Sequence, residues 1–454
     1  MKKTSRFYRH SFIFILLFLT YSPIAHAATY YVATSGSDSN PGSEAQPFRT
    51  IAYAVNKMVA GDTTYVKGGT YNEKKIWFGK SGTQSARITL MNAPGEQPVI
   101  DFGVIEGAAP LSKQPVNRIE LYAGKRVPIG YITIEGFEIG RGYNGIKFYD
   151  AHDVVIRRNW IHHTASQAIL GNGINMVFDR NVINHNGNFV SCARGDSIGK
   201  NGKPGNVCNQ VHGMYVTGSN YVITNNLIYD NSATGIQVAG YEHCPQGGCW
   251  GGYPGAPPKI FAGKEFGGAD NWLIANNVFA YGSKYGPAIH LWQRTATNSK
   301  IINNIFYQTR GIMVNQSTGS GHVFNNNICY STNGEYCINP DPGAKSKYTQ
   351  SGNMENTNPN FESAGAAISG VPNFKLKTGS PAIDKGQSLS QVTWDHAGGK
   401  RPFGAAFDIG AYEFGAPPDS GSPPPNPTGG GGDFPPSGPP VLRGPNGEVC
   451  PSGF

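Results

Sequence analysis

The strongest constraint on the fold is a repeat built around one asparagine. Within residues 208–240 the repeat reads Ile223-x-x-Asn226-x-Ile228, so an apolar residue precedes the Asn by three positions and another follows it by two. The same phrase recurs around Asn159, Asn181, Asn277, Asn304 and Asn327. Successive Asn residues are 22, 45, 51, 27 and 23 positions apart, so each of the two long intervals holds one repeat plus an inserted loop. A period of this length is typical of a solenoid.

A second phrase runs in step with the first. It reads Gly213-Met-Tyr-Val, and related phrases begin at residues 145, 235, 288 and 311. Each alternates with period 2, which predicts a short strand. The strands of one repeat cannot bury a hydrophobic face alone, but stacked coils can. We therefore predict an all-β chain, a right-handed single-stranded parallel β-helix of about ten coils. Because Asn suits tight turns, the repeated Asn residues are expected to stack as one internal ladder.

The first 27 residues have the pattern of a signal peptide. Four basic residues precede an apolar core at 11–19, and Ala25-His26-Ala27 fits the cleavage rule. The sequence therefore predicts a secreted protein, extracellular or periplasmic, and no later stretch is apolar enough for a membrane span. The formal net charge of +8 falls to about +4 without this leader, which gives no strong argument for a nucleic-acid partner. We expect a monomer.

One domain is predicted for residues 28–414. A short amphipathic helix at 48–59 is expected to cap the open N-terminal end of the coil stack. Residues 373–414 are interpreted as the last coil and the C-terminal cap. Residues 415–454 are rich in Pro and Gly, which predicts a linker and a disordered tail.

Seven cysteines in an exported chain indicate disulfide bonds. The local pairs that we expect are Cys192 with Cys208, Cys244 with Cys249, and Cys329 with Cys337, which leaves Cys450 in the tail. Zinc binding is the alternative, but the spacing matches no familiar zinc pattern.

The N-terminal sequence carries a resemblance to a known family. Residues 30–71, YYVATSGSDSNPGSEAQPFRTIAYAVNKMVAGDTTYVKGGTY, resemble the N-terminus of secreted β-helix proteins of the pectate-lyase superfamily. They are most similar to the calcium-dependent pectate lyases and to the chondroitinase and alginate lyase group. Near the other end, PAIDKG and DIGAYE within 373–414 resemble the choice-of-anchor Q segment that follows β-helices in surface proteins. The resemblance implies a β-helix that acts on, or binds, a polysaccharide.

Two Gly-rich insertions, 187–210 and 241–271, flank the same face of neighbouring coils. Between them, outward positions mix cations, amides and aromatic rings. Such a mixture suits an acidic polysaccharide, because cations and amides hold carboxylates and rings stack on sugars. The substrate-binding candidates are Tyr149, Asn172, Arg194, Gln237, His290, Trp292 and Arg310. The alternative is an ordinary polar sheet face exposed to solvent.

His212 lies in the phrase CNQVHGMYVTGS at 208–219, which is similar to a phrase of polygalacturonases. That resemblance implies a substrate-site role for His212. Hydrolysis needs an acid and a base carboxylate, and the paired Asp residues of that family are missing here.

Elimination is less restrictive than hydrolysis, because a Lys, Arg, His or Tyr can serve as its base. It requires a base, a partner for the uronate carboxylate and an acid for the leaving group. We predict Lys147 or Tyr215 as the base, and Arg194, His212 or Gln237 as partners of the carboxylate. We expect His212, Tyr215, Lys147 and Gln237 to share one solvent-open groove walled by the two insertions. Calcium can serve as the partner of the uronate carboxylate where several oxygen ligands cluster. Ca²⁺ therefore stays an alternative, although no cluster of Asp is evident.

The favoured function is therefore a lyase that cleaves an acidic, uronate-containing polysaccharide by β-elimination. A C5-epimerase is one alternative, since Tyr149-Asp150-Ala151-His152-Asp153 resembles a phrase of mannuronan epimerases. A glycoside hydrolase and a non-catalytic glycan-binding surface protein are the others, and the fold alone does not choose among them.

Overall fold

Three long parallel sheets, here called A, B and C, form the molecule. The structure is a computed structural model that describes residues 27–103, 115–124, 127–187, 211–239, 260–261, 264–265, 267–282, 286–292, 296–364 and 372–418. Each coil places one strand in sheet A, one in B and one in C, and each strand pairs with its equivalents in the coils before and after. The predicted right-handed parallel β-helix is confirmed. In the described part of the chain, no helix is long and apolar enough to cross a membrane.

Sheet A has eleven strands in the described residues. They are Thr29–Val32, Thr63–Val66, Ile88–Asn92, Ile132–Glu135, Val155–Arg157, Val177–Asp179, Val222–Thr224, Leu273–Ala275, Lys300–Ile302, His322–Asn325 and Tyr348–Ser351.

Sheet B has nine described strands. They are Gly69–Asn72, Pro98–Asp101, Glu138–Gly140, Trp160–His162, Val182–Asn184, Leu227–Tyr229, Val278–Ala280, Ile305–Tyr307 and Ile328–Tyr330.

Sheet C has ten described strands. They are Lys75–Phe78, Arg118–Leu121, Ile129–Gly130, Ile146–His152, Ile169–Ile174, Met214–Ser219, Ile236–Ala239, Ile289–Trp292, Ile312–Val314 and Ile338–Pro340. Three further pairs of short strands lie outside these sheets, namely Ile260–Phe261 with Lys264–Glu265, Ala269–Asp270 with Ala296–Thr297, and Phe361–Ser363 with Asn373–Leu376.

The core lies inside the coils and consists of aliphatic stacks. In sheet C one inward position is aliphatic on successive coils, and its strands pair in register at Ile76, Ile119, Ile146, Ile169, Met214, Ile236, Ile289 and Ile312. All of these side chains are fully buried. Because a strand alternates its faces, the residue after each of them points outward. This stack fixes the register of the outward residues of sheet C.

The Asn ladder is also confirmed. The Nδ2 group of Asn226 donates to Oδ1 of Asn277 at 2.9 Å and to the carbonyl oxygen of Phe178 at 2.9 Å, and Asn226 is fully buried. The same stacking joins Asn159, Asn181, Asn226, Asn277, Asn304, Asn327 and Asn353. The left-handed residue of each turn precedes the ladder Asn, as Asn225 does with φ 55°. The ladder Asn therefore serves through its buried amide and not through a left-handed backbone.

The N-terminal helix is Ile51–Lys57, shorter than the predicted 48–59. Its first turn is held by side chains, since Thr50 Oγ1 accepts from the Tyr53 amide at 3.2 Å and the Glu73 carboxylate accepts from the Ile51 amide at 2.7 Å. The helix buries Ile51, Ala54 and Val55 against the first coils, which is the capping position expected for it. A short 3₁₀ helix, Ala344–Lys347, precedes the last strand of sheet A.

The C-terminal segment, residues 372–418, packs against the side of the coil stack. The sequence had instead predicted that residues 373–414 form the last coil and an end cap. His396 donates from Nδ1 to the Asn225 carbonyl oxygen at 2.8 Å, and Asn303 donates from Nδ2 to the Gln387 carbonyl oxygen at 2.8 Å. Its apolar residues pack on outward residues of sheet B, with Phe374 and Ile409 in the same cluster as residues 227 and 278. Outward side chains of sheet B in the middle and later coils are thereby used for packing, which the period-2 pattern alone could not reveal. Sheet C has no such cover among residues 372–418.

One predicted disulfide lies in the described residues. Cys329 and Cys337 are bonded, with their Cα atoms 5.2 Å apart. They form, with Glu355, the one described group whose spacing would suit a metal, but the disulfide removes both thiolates as ligands. The other predicted bridging residues, Cys192, Cys208, Cys244 and Cys249, lie outside the described residues, as does Cys450.

Candidate active site on sheet C

One outward position of sheet C carries four of the predicted site residues. Lys147 pairs in register with Leu170, Leu170 with Tyr215, Tyr215 with Gln237, and Gln237 with His290. Neighbouring strands are about 4.8 Å apart, so Lys147 lies about 10 Å from Tyr215 along the sheet. The structure therefore brings Tyr215, Gln237 and His290 together on adjacent coils, and it separates Lys147 from them by the apolar Leu170.

The Gln237–His290 pair forms the centre of this row. The Nδ1 atom of His290 lies 3.0 Å from Oε1 of Gln237. Since an amide oxygen only accepts, this orientation of the amide requires a proton on Nδ1 and leaves a lone pair on Nε2. Burial lowers the pKa of His290 to about 4, so the ring is neutral at pH 7. Neither Nε2 of His290 nor Nε2 of Gln237 has a hydrogen-bond partner among the described residues. The pair thus presents one buried acceptor and one buried donor.

His212 is held in the opposite tautomer. Its Nδ1 accepts from the Thr234 backbone N–H at 3.2 Å, so the neutral ring carries its proton on Nε2. Burial, and then the neighbouring His290, lower the pKa of His212 to about 3. The ring centroid lies 5.4 Å from that of Tyr215, and His212 is only 5% exposed. The sequence placed His212 in a solvent-open groove, but the structure places it in a largely buried cluster with a single donor.

Lys147 belongs to a second cluster of charged residues, two coils away. Its Nζ lies 4.8 Å from the centre of the Tyr149 ring, and burial followed by the charge of Arg118 lowers the pKa of Lys147 to about 8. Glu120 lies beside Lys147 in register and accepts from Lys75 at 2.6 Å. This cluster holds a lysine that is partly deprotonated near neutral pH, which is one requirement of a base.

Asn172 is used inside the fold. Its Oδ1 accepts from the Asp150 N–H at 3.1 Å, and its Nδ2 donates to Asp150 Oδ1 at 2.7 Å, in a buried position. The pair stabilises the irregular stretch where the strand Ile146–His152 shifts register. Asn172 therefore has its amide engaged before any substrate binds.

The remaining candidates lie toward the C-terminal coils. Trp292 is 37% exposed, and its ring stacks at 6.1 Å on the ring of His290. Arg310 lines a cavity of about 360 Å³. Arg194 lies outside the described residues.

Sequence reasoning missed two features of this face. Gln237 and His290 occupy the same place in their phrases, Gly235-Ile-Gln-Val and Ala288-Ile-His-Leu. Aligning the phrases would have predicted the contact between the two side chains. The cavity beside Arg310 has no comparable signal, because Tyr336, which also lines it, lies in the irregular segment before the strand Ile338–Pro340.

The described residues around Gln237 and His290 do not fit a calcium ion. Calcium takes six to eight oxygen ligands. Among the described residues, no group of three His, Cys, Asp or Glu side chains with metal-ligand spacing lies beside Gln237 and His290, and Gln237 Oε1 already accepts from His290.

Both a family model and a solved structure are similar to this chain. A family model described as "Pel9A-like, right handed beta helix region" matches residues 30–202. The crystal structure of pectate lyase Pel9A superposes with a TM-score of 0.53 at 17% identity, over 86% of this chain and 98% of that one. The chain resembles the β-helix proteins of the pectate-lyase superfamily. This confirms the resemblance expected from residues 30–71.

Three curated proteins are similar to this chain over different lengths. Pectate lyase PEL9 of Emericella nidulans is 39% identical over 94 residues, which are 20% of this chain and 23% of that protein. The protein YwoF of Bacillus subtilis (strain 168) is 32% identical over 109 residues, or 24% of this chain and 22% of that protein. The matches thus span about a quarter of these two relatives. Pectate lyase L of Dickeya chrysanthemi is 22% identical over 429 residues, covering 86% of this chain and 92% of that protein.

Proposed function

We propose that this chain is a secreted polysaccharide lyase that cleaves an acidic, uronate-containing polysaccharide on the outer face of sheet C. The observation that carries the proposal is the pair of neutral histidines with opposite tautomers, His290 with a lone pair and His212 with a donor on Nε2. His290 follows Gln237 in the row, and the His212 ring lies 5.4 Å from the Tyr215 ring. The names of the pectate-lyase relatives support the reaction class, and the leader-like residues 1–27 support secretion.

Each group has a part in the elimination. Nε2 of His290 takes the proton α to the uronate carboxylate, and the electrons of that C–H bond form the new C=C bond. The C–O bond at the β carbon breaks, and the Tyr215 hydroxyl gives its proton to the leaving oxygen. Nε2 of Gln237 and Nε2–H of His212 donate hydrogen bonds to the carboxylate, where negative charge accumulates. Proton exchange with solvent then restores His290 and Tyr215.

Lys147 is the second candidate for the base. Its lowered pKa of about 8 supports that role, whereas its distance of about 10 Å from Tyr215 along the sheet argues against one sugar touching both. In the proposal with His290 as base, Lys147 binds the carboxylate of another sugar of the same polymer. The predicted carboxylate partner Arg194 stays a further proposal.

The test is a panel of polygalacturonate, alginate and chondroitin with absorbance of the unsaturated uronate as the readout. We expect absorbance to rise with at least one of them and to fall strongly in His290→Ala. Thr349→Ala, an exposed change on the last strand of sheet A, is the matched control. New reducing ends without absorbance would identify a hydrolase, and binding without any product would identify a glycan-binding protein. Either result overturns the proposal.

A further inference from the structure

The cavity beside Arg310 continues the row of outward residues on sheet C. Beyond His290 the next position in register is Met313, and the one after it is Asn339. Both residues line the cavity, together with Arg310, Tyr336 and Asp341. Its volume of about 360 Å³ falls in the lower range of ligand pockets. A polymer that follows the row from Tyr215 past His290 reaches this cavity next.

The walls of the cavity carry the groups that recognise an acidic sugar. Arg310 supplies a guanidinium, whose planar fork matches a carboxylate. Tyr336 is 65% exposed and offers its ring for stacking on a sugar face. Asp341 accepts from the Gln316 backbone N–H at 3.0 Å, so its carboxylate is fixed and can accept from sugar hydroxyls. The negative charge of Asp341 orients an acidic sugar, because the sugar's carboxylate is attracted toward Arg310 and repelled by Asp341.

The backbone of Tyr336 is held on several sides although its ring is exposed. Its carbonyl oxygen accepts from the Asn339 side chain at 2.9 Å and from the Gly311 N–H at 3.3 Å. The next residue, Cys337, is bonded to Cys329, and its N–H donates to the Glu355 carboxylate at 2.8 Å. A rigid backbone beneath an exposed ring lowers the entropy lost when a ligand stacks on it.

We propose that this cavity is a binding subsite for one uronate residue of the polymer, one or two coils from the reaction centre. This proposal rests on the proposed function for the position of the reaction centre. The binding chemistry of the cavity itself does not depend on that function. Arg310 binds the carboxylate, and Tyr336 stacks on the ring. The subsite lengthens the bound part of the polymer and favours longer chains over short ones.

Its test uses tri- and hexagalacturonate and native gels that contain polygalacturonate, with neutral galactan gels as the control. The variants are Arg310→Gln and Tyr336→Ala, and Lys345→Gln removes one exposed positive charge nearby as the matched control. We expect polygalacturonate to retard the wild type, and each cavity variant to lose most of that retardation. For the hexamer, KM rises roughly tenfold while kcat stays within about twofold, because a charge-assisted hydrogen bond is worth about that much. The trimer is turned over as in the wild type.

The two proposals fail in different ways. If the wild type is retarded but eliminates nothing, and the cavity variants lose retardation, the lyase proposal fails and the subsite stands. If the wild type eliminates but the cavity variants keep both retardation and hexamer KM, the subsite is overturned. A wild type that polygalacturonate does not retard overturns the subsite, and so does loss of retardation in Lys345→Gln to the same degree. A fall in kcat together with a rise in KM and a lower melting temperature would identify a structural role for the cavity residues, and this result also overturns the subsite.

Discussion

Gln237 and His290 lie in register on adjacent coils, and the amide oxygen of Gln237 accepts the Nδ1 proton of His290 at 3.0 Å. The contact fixes both the orientation and the tautomer of a neutral imidazole. A hydrogen-bond acceptor behind Nδ1 is the usual way in which proteins direct Nε2 toward a substrate. Gln237 is thus a positioning residue for the proposed base.

Gln237→Leu removes that acceptor and keeps most of the volume. We expect kcat to fall about 10- to 100-fold, less than the roughly 10²- to 10⁴-fold loss of kcat in His290→Ala. Gln237→Glu restores an acceptor and should recover part of kcat. Its negative charge should also raise the pKa of His290, which moves the acidic limb of the rate profile upward. Equal activity of Gln237→Leu and the wild type would show that the contact does not serve catalysis.

The pH dependence of kcat/KM separates the two base candidates. A base acts when deprotonated, so with His290, whose pKa is about 4, the rate should be constant from neutral pH down to about 4 and fall below it. With Lys147, whose pKa is about 8, the rate should be half-maximal near pH 8 and fall about tenfold per unit below it. We expect the first profile, and we expect Lys147→Met to keep its acidic limb at the same pH. A limb near 8 that disappears in Lys147→Met would assign the base to Lys147.

The sequence predicted the coil stack well because one position recurs in every coil. Asn226 and its equivalents are local signals, and so is the aliphatic residue that begins each sheet C strand. The site is less predictable, because its contacts join residues from different coils. Lys147 and Tyr215 were expected in one groove, yet Leu170 separates them. The repeat does not constrain which residue type occupies the outward position of each coil. Burial of His212 likewise depends on side chains from other parts of the chain.

Buried histidines should make the protein sensitive to acid. Burial is the main cause that lowers the pKa of six described imidazoles to about 3 or 4, those of His162, His163, His212, His290, His322 and His396. An unfolded His binds its proton near pH 6.5, so the unfolded state takes up protons first. Stability is therefore full above about pH 6.5 and is lost as pH falls from there toward 4.

Four buried carboxyl groups oppose this trend. Burial raises the pKa of Glu73 and of Asp395, and it raises the pKa of Glu138 to about 7 and that of Asp408 to about 6, so these groups add stability as the pH falls. Since six imidazoles outnumber them, we expect the urea midpoint to decrease steadily between pH 6.5 and 4.5. His322→Asn should lower stability at pH 7 but flatten the pH dependence. A midpoint that does not change across this range would contradict the burial of these rings.

The Asn ladder makes a prediction about stability that is independent of function. Asn226 donates from Nδ2 to Thr224, Phe178 and Asn277, and its Oδ1 accepts from Asn181. Asn226→Ala leaves buried carbonyl groups without a donor, which should lower the free energy of unfolding by about 1–3 kcal/mol. Asn226→Asp keeps the shape but replaces the donor by an acceptor, so it should be at least as destabilising. The exposed Asn333→Ala is the control, and urea unfolding is the measurement. Equal midpoints for Asn226→Ala and Asn333→Ala would show that the ladder fixes the turn without stabilising it.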